Sequence, residues 1–207
     1  MTKIFGVGFH KTGTTSLGEA LEYLGYVNTH GAKALRQTLG QEQMMKCLIS
    51  DDLNPVWEVA DCYNSFQDNP WQMLYRQADQ RFPGSKFILT VRNPESWFKS
   101  VHNQFAGRQS EFRRWVYGPD YGDPKGNKKH YLDRYERHNH EVQAYFHQRP
   151  EDLLVLDIRN GDGWAELCLF LKIPVPDQAF PHANKRDYQS LIDKVAHRIK
   201  ISLGSHD

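Results

Sequence analysis

The sequence has few cysteines, almost no net charge and no long apolar run. Its three cysteines are scattered and odd in number, which indicates neither a disulfide framework nor a zinc site. A formal net charge of +1 over 207 residues provides no field that would attract nucleic acid. No apolar stretch approaches the ~20 residues that cross a bilayer, and the opening Met1-Thr2-Lys3 is not a signal peptide. We therefore expect one cytoplasmic domain over residues 1–207, with a sizeable core, no membrane anchor and no nucleic-acid partner.

A loop that binds phosphate is predicted near the N-terminus. The apolar segment 4–8 is followed by Lys11-Thr12-Gly13-Thr14-Thr15-Ser16 and then by apolar residues at helical spacing. That order is typical of a strand, a tight loop and a helix. Such a loop directs backbone N–H groups to one point at the positive end of the helix dipole. The crowding of glycine, lysine and hydroxyl residues favours an anion site over an ordinary turn capped by Thr14 or Thr15.

The loop follows neither of the two common nucleotide-binding patterns. Gly8 and Gly13 have the spacing of the glycines in G-x-x-x-x-G-K-[ST], but Thr14 stands where that pattern has lysine. The dinucleotide pattern G-x-G-x-x-G also fails, because Lys11 stands where its third glycine should be. The lysine lies inside the loop, which indicates a phosphate site of another kind.

A second motif follows the apolar strand predicted over 86–91. It begins with Arg92, and the next three residues, Asn93, Pro94 and Glu95, are typical of a helix start. In nucleotide triphosphatases the corresponding strand often ends in an aspartate that organises Mg²⁺. A guanidinium does not hold a metal, but it can form a bidentate pair with a second phosphate.

Together the two motifs resemble those of the PAPS-dependent sulfotransferases, in particular a bacterial-type branch with short chains; PAPS is 3′-phosphoadenosine 5′-phosphosulfate. The resemblance covers nearly the whole chain, through the segments 63–71, 81–91 and 161–185. It implies that Arg92 and Ser100 bind the 3′-phosphate. The residues it implies at the 5′-phosphosulfate are Lys11, Thr12, Gly13, Thr14, Thr15 and Ser16. The R-K-G-x-x-G-x-W block of the animal cytosolic enzymes is absent, and Lys185 and Arg186 are candidates to replace it.

The resemblance implies transfer of a sulfuryl group from PAPS to a hydroxyl or amine of a small-molecule or carbohydrate acceptor. PAP is released, and no metal is needed. By analogy with phosphoryl transfer, Lys11 would neutralise charge on the bridging oxygen and on the leaving phosphate.

An acceptor hydroxyl calls for a general base. Asp68 is the first candidate, although an aspartate just before a proline is as often a helix cap. His10, beside the loop lysine, is the second candidate, and His30 is a weaker one. His138 and His140 lie in a polar helix and are expected to be solvated.

Two other functions stay open, as do the acceptor and the oligomeric state. Asp157, at the end of an apolar strand, is a candidate to organise a metal, which would make the protein a kinase or triphosphatase that uses ATP and Mg²⁺. Against this stands the missing lysine after Gly13. The other alternative is a protein that binds PAP or PAPS without turnover.

The chain order predicts an α/β sheet, and the resemblance implies a three-layer sandwich with a central, mostly parallel sheet, as in P-loop NTPases. Strands are predicted at about 3–8, 25–30, 86–91 and 153–158, with 56–60 as a strand or buried turn. Helices are predicted at 14–24, 32–48, from 70, from 94, and at 130–147, 164–171 and 188–199.

Residues 117–129 are predicted to be a long loop and a candidate lid. Their lysines, Lys125, Lys128 and Lys129, are interpreted as solvated or as a site for an anionic acceptor.

Overall fold

The computed structural model describes residues 2–181. The roles expected for Lys185 and Arg186, and the helix expected at 188–199, lie outside the described residues. Within this range, no helix is both long enough and apolar enough to cross a membrane.

The described residues contain a five-stranded sheet in the order β2-β3-β1-β4-β5, and every neighbouring pair of strands is parallel. The strands are β1 (Ile4–Gly6), β2 (Asn28–His30), β3 (Ser65–Gln67), β4 (Lys86–Thr90) and β5 (Leu153–Leu156). Because the strands are parallel, all of their carboxyl ends lie at one edge, where α/β proteins bind their ligands. The predicted α/β class is confirmed.

The helices are α1 (Thr14–Tyr23), α2 (Lys33–Leu39), α3 (Gln41–Ser50), α4 (Asn54–Asp61), α5 (Tyr75–Arg81), α6 (Pro94–Phe105), α7 (Glu111–Tyr117), α8 (Lys128–Tyr145) and α9 (Trp164–Leu171). Three short 3₁₀ turns cover Trp71–Met73, Pro150–Asp152 and Ile158–Asn160. The predicted long loop is present but shorter, over 118–127, because α7 and α8 take its ends.

Two secondary-structure predictions need correction. The single helix expected over 32–48 is broken into α2 and α3 at Gly40, whose φ of 77° lies in the left-handed region that glycine tolerates. The segment 56–60 is helical, not a strand or buried turn, and belongs to α4. Its apolar run was too short to separate the two periodicities, and Pro55 in the first turn was the helix signal.

Apolar clusters cover both faces of the sheet, and a further cluster lies around Phe9, Trp97 and Tyr135. On one face, Phe5 of β1 stacks on Phe66 of β3 and Phe87 of β4, with ring centroids 4.5 and 5.6 Å apart. On the other face, Ile4 and Ile88 pack against apolar residues of α1 and α9. The three-layer arrangement implied by the resemblance is therefore confirmed.

The loop after β1 runs close beside the end of β4. A Cβ atom placed on Gly8 would lie 2.1 Å from Thr90 Oγ1 and 2.3 Å from the Thr90 carbonyl oxygen. Only glycine fits there, so Gly8 is fixed by this close approach to the neighbouring strand.

Candidate functional site

The loop between β1 and α1 has the features of an anion site. Gly13 is the N-cap of α1 and has φ 110° and ψ 15°, in the left-handed region. Among residues 2–181, no side chain caps this ten-residue helix, and its first turn carries no acidic residue. The positive end of the helix dipole is thus not compensated by a side chain, as an anion-binding N-terminus requires. Thr14 and Ser16 are buried and Thr15 is exposed.

Thr12 holds the loop in shape. Its side chain is fully buried, and its hydroxyl donates to the Phe9 carbonyl at 2.5 Å and lies 2.6 Å from the hydroxyl oxygen of Thr90. Since that hydroxyl is engaged within the protein, any contribution of Thr12 to a bound anion would come from its backbone.

The side chain of Lys11 is hydrogen-bonded to a residue of α6. Its backbone has φ 71°, and its ammonium donates a hydrogen bond to the side-chain oxygen of Gln104. Gln104 was missed by sequence reasoning. It follows Ser96 and Ser100 at intervals of four residues, a spacing that places all three on one face of α6.

Arg92 joins the second motif to the first. Its Nε and Nη2 atoms donate to Ser96 Oγ at 2.9 and 2.7 Å, and its Nη1 donates to the carbonyl of Lys11 at 3.2 Å. Ser100 is half-buried one turn beyond Ser96. The predicted cap is confirmed, because the Asn93 side chain accepts from the Ser96 N–H at 3.1 Å. The two motifs, which are about eighty residues apart in sequence, are therefore in direct contact.

Side chains of α6 and α8 form hydrogen bonds with the backbone of the segment between β1 and the phosphate loop. His138 bonds the Val7 carbonyl through Nε2 at 2.7 Å, and the indole of Trp97 donates to the His10 carbonyl at 2.9 Å. The expectation that His138 is solvated is wrong, because it is only 1% exposed and stacks on Phe9. Burial lowers the pKa of His138 to about 4. His140 is exposed, as expected.

A cavity of about 320 Å³ opens beside the loop. Since β1 lies between β3 and β4, Arg92 is on one side of the loop, whereas residues after β2 and β3 line the cavity on the other, together with residues of α6 and α7. The residues that line the cavity are His10, His30, Gly31, Ala32, Lys33, Arg36, Asp68, Asn69, Phe105, Ser110, Phe112 and Arg113. All three candidate bases therefore line one cavity.

Asp68 is the carboxylate among these lining residues. Its Oδ2 lies 3.6 Å from His30 Nε2, and its Oδ1 accepts from the Asn69 N–H at 2.7 Å. Burial alone would raise the pKa of Asp68, but the hydrogen bonds from His30 and from the Asn69 N–H help to bring it below its ordinary value. The alternative role as a helix cap is not seen, because the Asp68 carboxylate accepts from the Asn69 N–H and not from an N–H of the Trp71–Met73 turn.

His10 is deeply buried, with 4% of its surface exposed. Its Nε2 lies 3.4 Å from the hydroxyl of Tyr117, and its Nδ1 has no hydrogen-bond partner within residues 2–181. Burial lowers the pKa of His10 despite the nearby carboxylate of Asp68. The imidazole is therefore neutral near pH 7.

The basic cluster and Asp157, which the sequence analysis also considered as functional residues, form contacts within the protein. Lys128 lies 2.7 Å from Glu95, and Lys129 lies 2.5 Å from Asp133, so these two lysines of the basic cluster are paired with carboxylates.

The Asp157 carboxylate accepts from the backbone of Arg159 and Asn160 and from the Asn160 side chain, and so caps its own turn. Over residues 2–181, no group of three or more His, Cys, Asp or Glu side chains is arranged to hold a metal ion.

Comparison with known proteins agrees with this geometry. The chain is 27% identical over 216 residues to the Ava biosynthesis cluster protein M of Aspergillus versicolor, an alignment that covers 87% of this chain and 80% of that protein. The family model described as "Sulfotransferase domain" matches residues 3–125 and 111–188, which together make up most of the chain. The resemblance inferred from the two loop motifs is confirmed, and the chain belongs to this sulfotransferase domain family.

Proposed function

We propose that this protein transfers the sulfuryl group of PAPS to a hydroxyl of a small-molecule acceptor bound in the cavity, with release of PAP. The contact between Arg92 and the Lys11 carbonyl carries the proposal, because it joins the two phosphate-binding motifs that the donor requires. The cavity with its candidate bases lies on the other side of the same loop.

The residues of the loop fit the 5′ end of the donor. The uncapped N-terminus of α1 and the left-handed Gly13 present backbone amides of Gly13 to Thr15 to a phosphate. Arg92 and Ser100 are assigned to the 3′-phosphate, for which a guanidinium provides paired donors. When bound, PAPS supplies the sulfuryl group and the phosphate leaving group.

On the acceptor side, Asp68 is assigned as the general base. It accepts the hydroxyl proton as the acceptor oxygen bonds to sulfur and the bond between sulfur and the 5′-phosphate oxygen breaks. The proton ends on Asp68 and the negative charge on PAP, where Lys11 neutralises it. We favour Asp68 over His10 because its side chain is 22% exposed, whereas the unpartnered Nδ1 of His10 is buried.

Isothermal titration calorimetry of the full chain with PAP, and with ATP plus Mg²⁺ for comparison, tests the proposal. We expect tight, metal-independent binding of PAP and weak binding of ATP. Both Arg92→Ala and Ser100→Ala should weaken PAP binding, since each leaves a phosphate oxygen without its partner. Arg137→Ala, a substitution at an exposed arginine of α8, is the matched control and should bind PAP like the wild type.

Three outcomes would contradict parts of the proposal. Preference for ATP with Mg²⁺ would move the protein to phosphoryl transfer. Wild-type affinity for PAP in both variants would overturn the assignment of Arg92 and Ser100. Tight PAP binding without turnover of PAPS by any acceptor would indicate a binding protein.

A further inference from the structure

The cavity contains more positive charge than its single carboxylate can balance. Three permanent cations, Lys33, Arg36 and Arg113, line it together with Asp68. None of the three forms an ion pair with a carboxylate of residues 2–181, and Asp68 already lies beside His30. This differs from Lys128 and Lys129, which do have carboxylate partners.

Arg113 is the most informative of these cations because it is buried, with only 8% of its surface exposed. Its Nε donates to the Gly122 carbonyl at 2.8 Å, its Nη2 donates to the carbonyl of Arg108, and its guanidinium carbon lies 4.9 Å from the ring centre of Phe105. These contacts fix the position of the guanidinium. The Asp123 carboxylate is near enough to act on its charge, but within residues 2–181 no carboxylate forms a direct ion pair with it. A buried charge is costly unless an opposite charge meets it.

Arg36 is held in a similar way at the exposed mouth of the cavity. Its guanidinium carbon lies 5.3 Å from the ring centre of Phe112, and its Nε donates to the side-chain oxygen of Gln41 at 3.0 Å. Gln41 in turn donates to Glu111, so a neutral side chain separates Arg36 from that carboxylate. The two arginines are thus preorganised on aromatic faces, and each is a type of group that pairs with oxyanions.

The geometry points to an acceptor that carries an oxyanion, a carboxylate or a phosphate, in addition to the hydroxyl that receives the sulfuryl group. Arg113, with Arg36 and Lys33 at the mouth, binds the oxyanion, and Asp68 faces the hydroxyl. This inference rests on the proposed function, since it takes the cavity to be the acceptor site. A volume of about 320 Å³ suits a small molecule of this class.

Matched pairs of probes test the inference by calorimetry on the full chain saturated with PAP. One pair is 3-(4-hydroxyphenyl)propionate and its methyl ester, and the other is glycerol 3-phosphate and glycerol. We expect the anion of at least one pair to bind ten times more tightly than its neutral partner. The pair that shows the difference distinguishes a carboxylate from a phosphate.

Substitutions assign the anion to the cavity. Arg113→Gln should remove most of the preference for the anion. Because Arg113 is buried and this variant can fail to fold, the double variant Lys33→Gln and Arg36→Gln, at two exposed positions, is made as well and should reduce the preference at least threefold. Arg137→Gln removes an exposed arginine elsewhere and should leave the preference unchanged.

The outcomes separate this inference from the proposed function. If PAP fails to bind, the proposed function is wrong, and the same probe pairs on the nucleotide-free chain still report whether the cavity selects anions. If PAP binds but anions and neutral partners bind alike, the inference is overturned while the donor site stands. A preference that survives the double substitution but disappears in Arg92→Ala would place the anion at the donor site and also overturn the inference.

Discussion

The phenol oxygen of Tyr135 bonds both backbone polar groups of Arg92: it accepts from the Arg92 N–H at 2.9 Å and donates to the Arg92 carbonyl at 2.9 Å. The ring of Tyr135 stacks on Trp97 with centroids 4.2 Å apart, and Trp97 donates to the carbonyl of His10. One aromatic pair therefore fixes both the start of the Arg92 motif and the phosphate loop. Burial raises the pKa of Tyr135, so the hydroxyl keeps the proton that it donates.

We predict that Tyr135→Phe weakens PAP binding through this backbone. Phenylalanine keeps the stacking on Trp97 but leaves the N–H and carbonyl of Arg92 without their partner. A lost pair of this kind costs about 1–3 kcal/mol. If half of that free energy is lost from binding, the dissociation constant measured by calorimetry should rise about two- to tenfold.

Tyr131→Phe is the matched control for this prediction. Tyr131 is one turn earlier in α8 and is also buried, but its hydroxyl donates to the Tyr121 carbonyl at 2.8 Å. The control should lose a similar amount of stability to urea and keep its affinity for PAP. Equal losses of PAP affinity in both variants would contradict a specific role of Tyr135 in placing Arg92.

The phosphate loop and the helix after it could be predicted from the sequence because those features are local. Lys11 and Gly13 are close together in the chain, and their left-handed backbone is a local feature of the turn. The Asn93 cap was predictable for the same reason. The requirement for glycine at position 8, by contrast, comes from Thr90 on a neighbouring strand. Likewise, the burial of His138 depends on its contacts with Val7 and Phe9, about 130 residues earlier, and helical spacing in α8 gave no sign of them.

The cavity was only partly predictable. Asp68 and His30 follow strands, and the rule that ligands bind at the carboxyl ends of parallel strands places them together. Arg113 reaches the same cavity from α7, a helix that the sequence analysis did not predict. Ser96, Ser100 and Gln104 did show a four-residue spacing. Exposed helices commonly carry such polar rows, so the pattern alone could not identify Gln104 as the partner of Lys11.

Burial of His138 predicts a pH dependence of stability. Its pKa is about 4 in the folded protein and 6.5 as the ordinary value, so the unfolded chain takes up a proton first as the pH falls. The contribution of His138 is complete above pH 6.5 and is lost as the pH falls toward 4. The loss is about 3 kcal/mol over that window.

The free energy of unfolding in urea, measured between pH 7 and pH 4, checks this prediction. His138→Gln keeps a donor for the Val7 carbonyl but does not titrate, so its stability should fall by about 3 kcal/mol less than that of the wild type. His140→Gln, at an exposed position on the same helix, should follow the wild type. Parallel curves for His138→Gln and wild type would show that His138 does not titrate in this way.

The lowered pKa of Asp68 predicts how the rate depends on pH. The carboxylate is ionised at every pH above its ordinary value of 3.8 and loses its charge only below that. If Asp68 takes the proton, kcat/KM should stay level from pH 8 to pH 5. If His10 were the base, kcat/KM would instead decline as the imidazole takes up a proton, at a pH below its ordinary pKa of 6.5 because burial lowers that pKa.

Asp68→Asn should lower kcat about 10²- to 10⁴-fold, the usual contribution of a general base. Asparagine tolerates the left-handed backbone of this position, where φ is 68°, so the loop should keep its shape. His30→Gln, which removes only a neighbour of the carboxylate, is the control and should reduce kcat far less. A larger loss in His30→Gln than in Asp68→Asn would transfer the role of base to His30.

Lys11 and Gln104 allow binding and catalysis to be separated. If Lys11 acts on charge that develops as the sulfur–oxygen bond breaks, Lys11→Ala should lower kcat about 10²- to 10³-fold and change the dissociation constant of PAP much less. Gln104→Ala removes only the side chain that positions the ammonium and should lower kcat by a smaller factor at nearly constant PAP affinity. Gln143→Ala, at a residue of α8 whose side chain donates to the carbonyl of Asn139, is the control and should change neither quantity. Equal losses of kcat and of PAP affinity in Lys11→Ala would mean that the lysine binds the nucleotide without favouring the transition state. In that case the amides at the N-terminus of α1 would have to stabilise the leaving 5′-phosphate without the lysine.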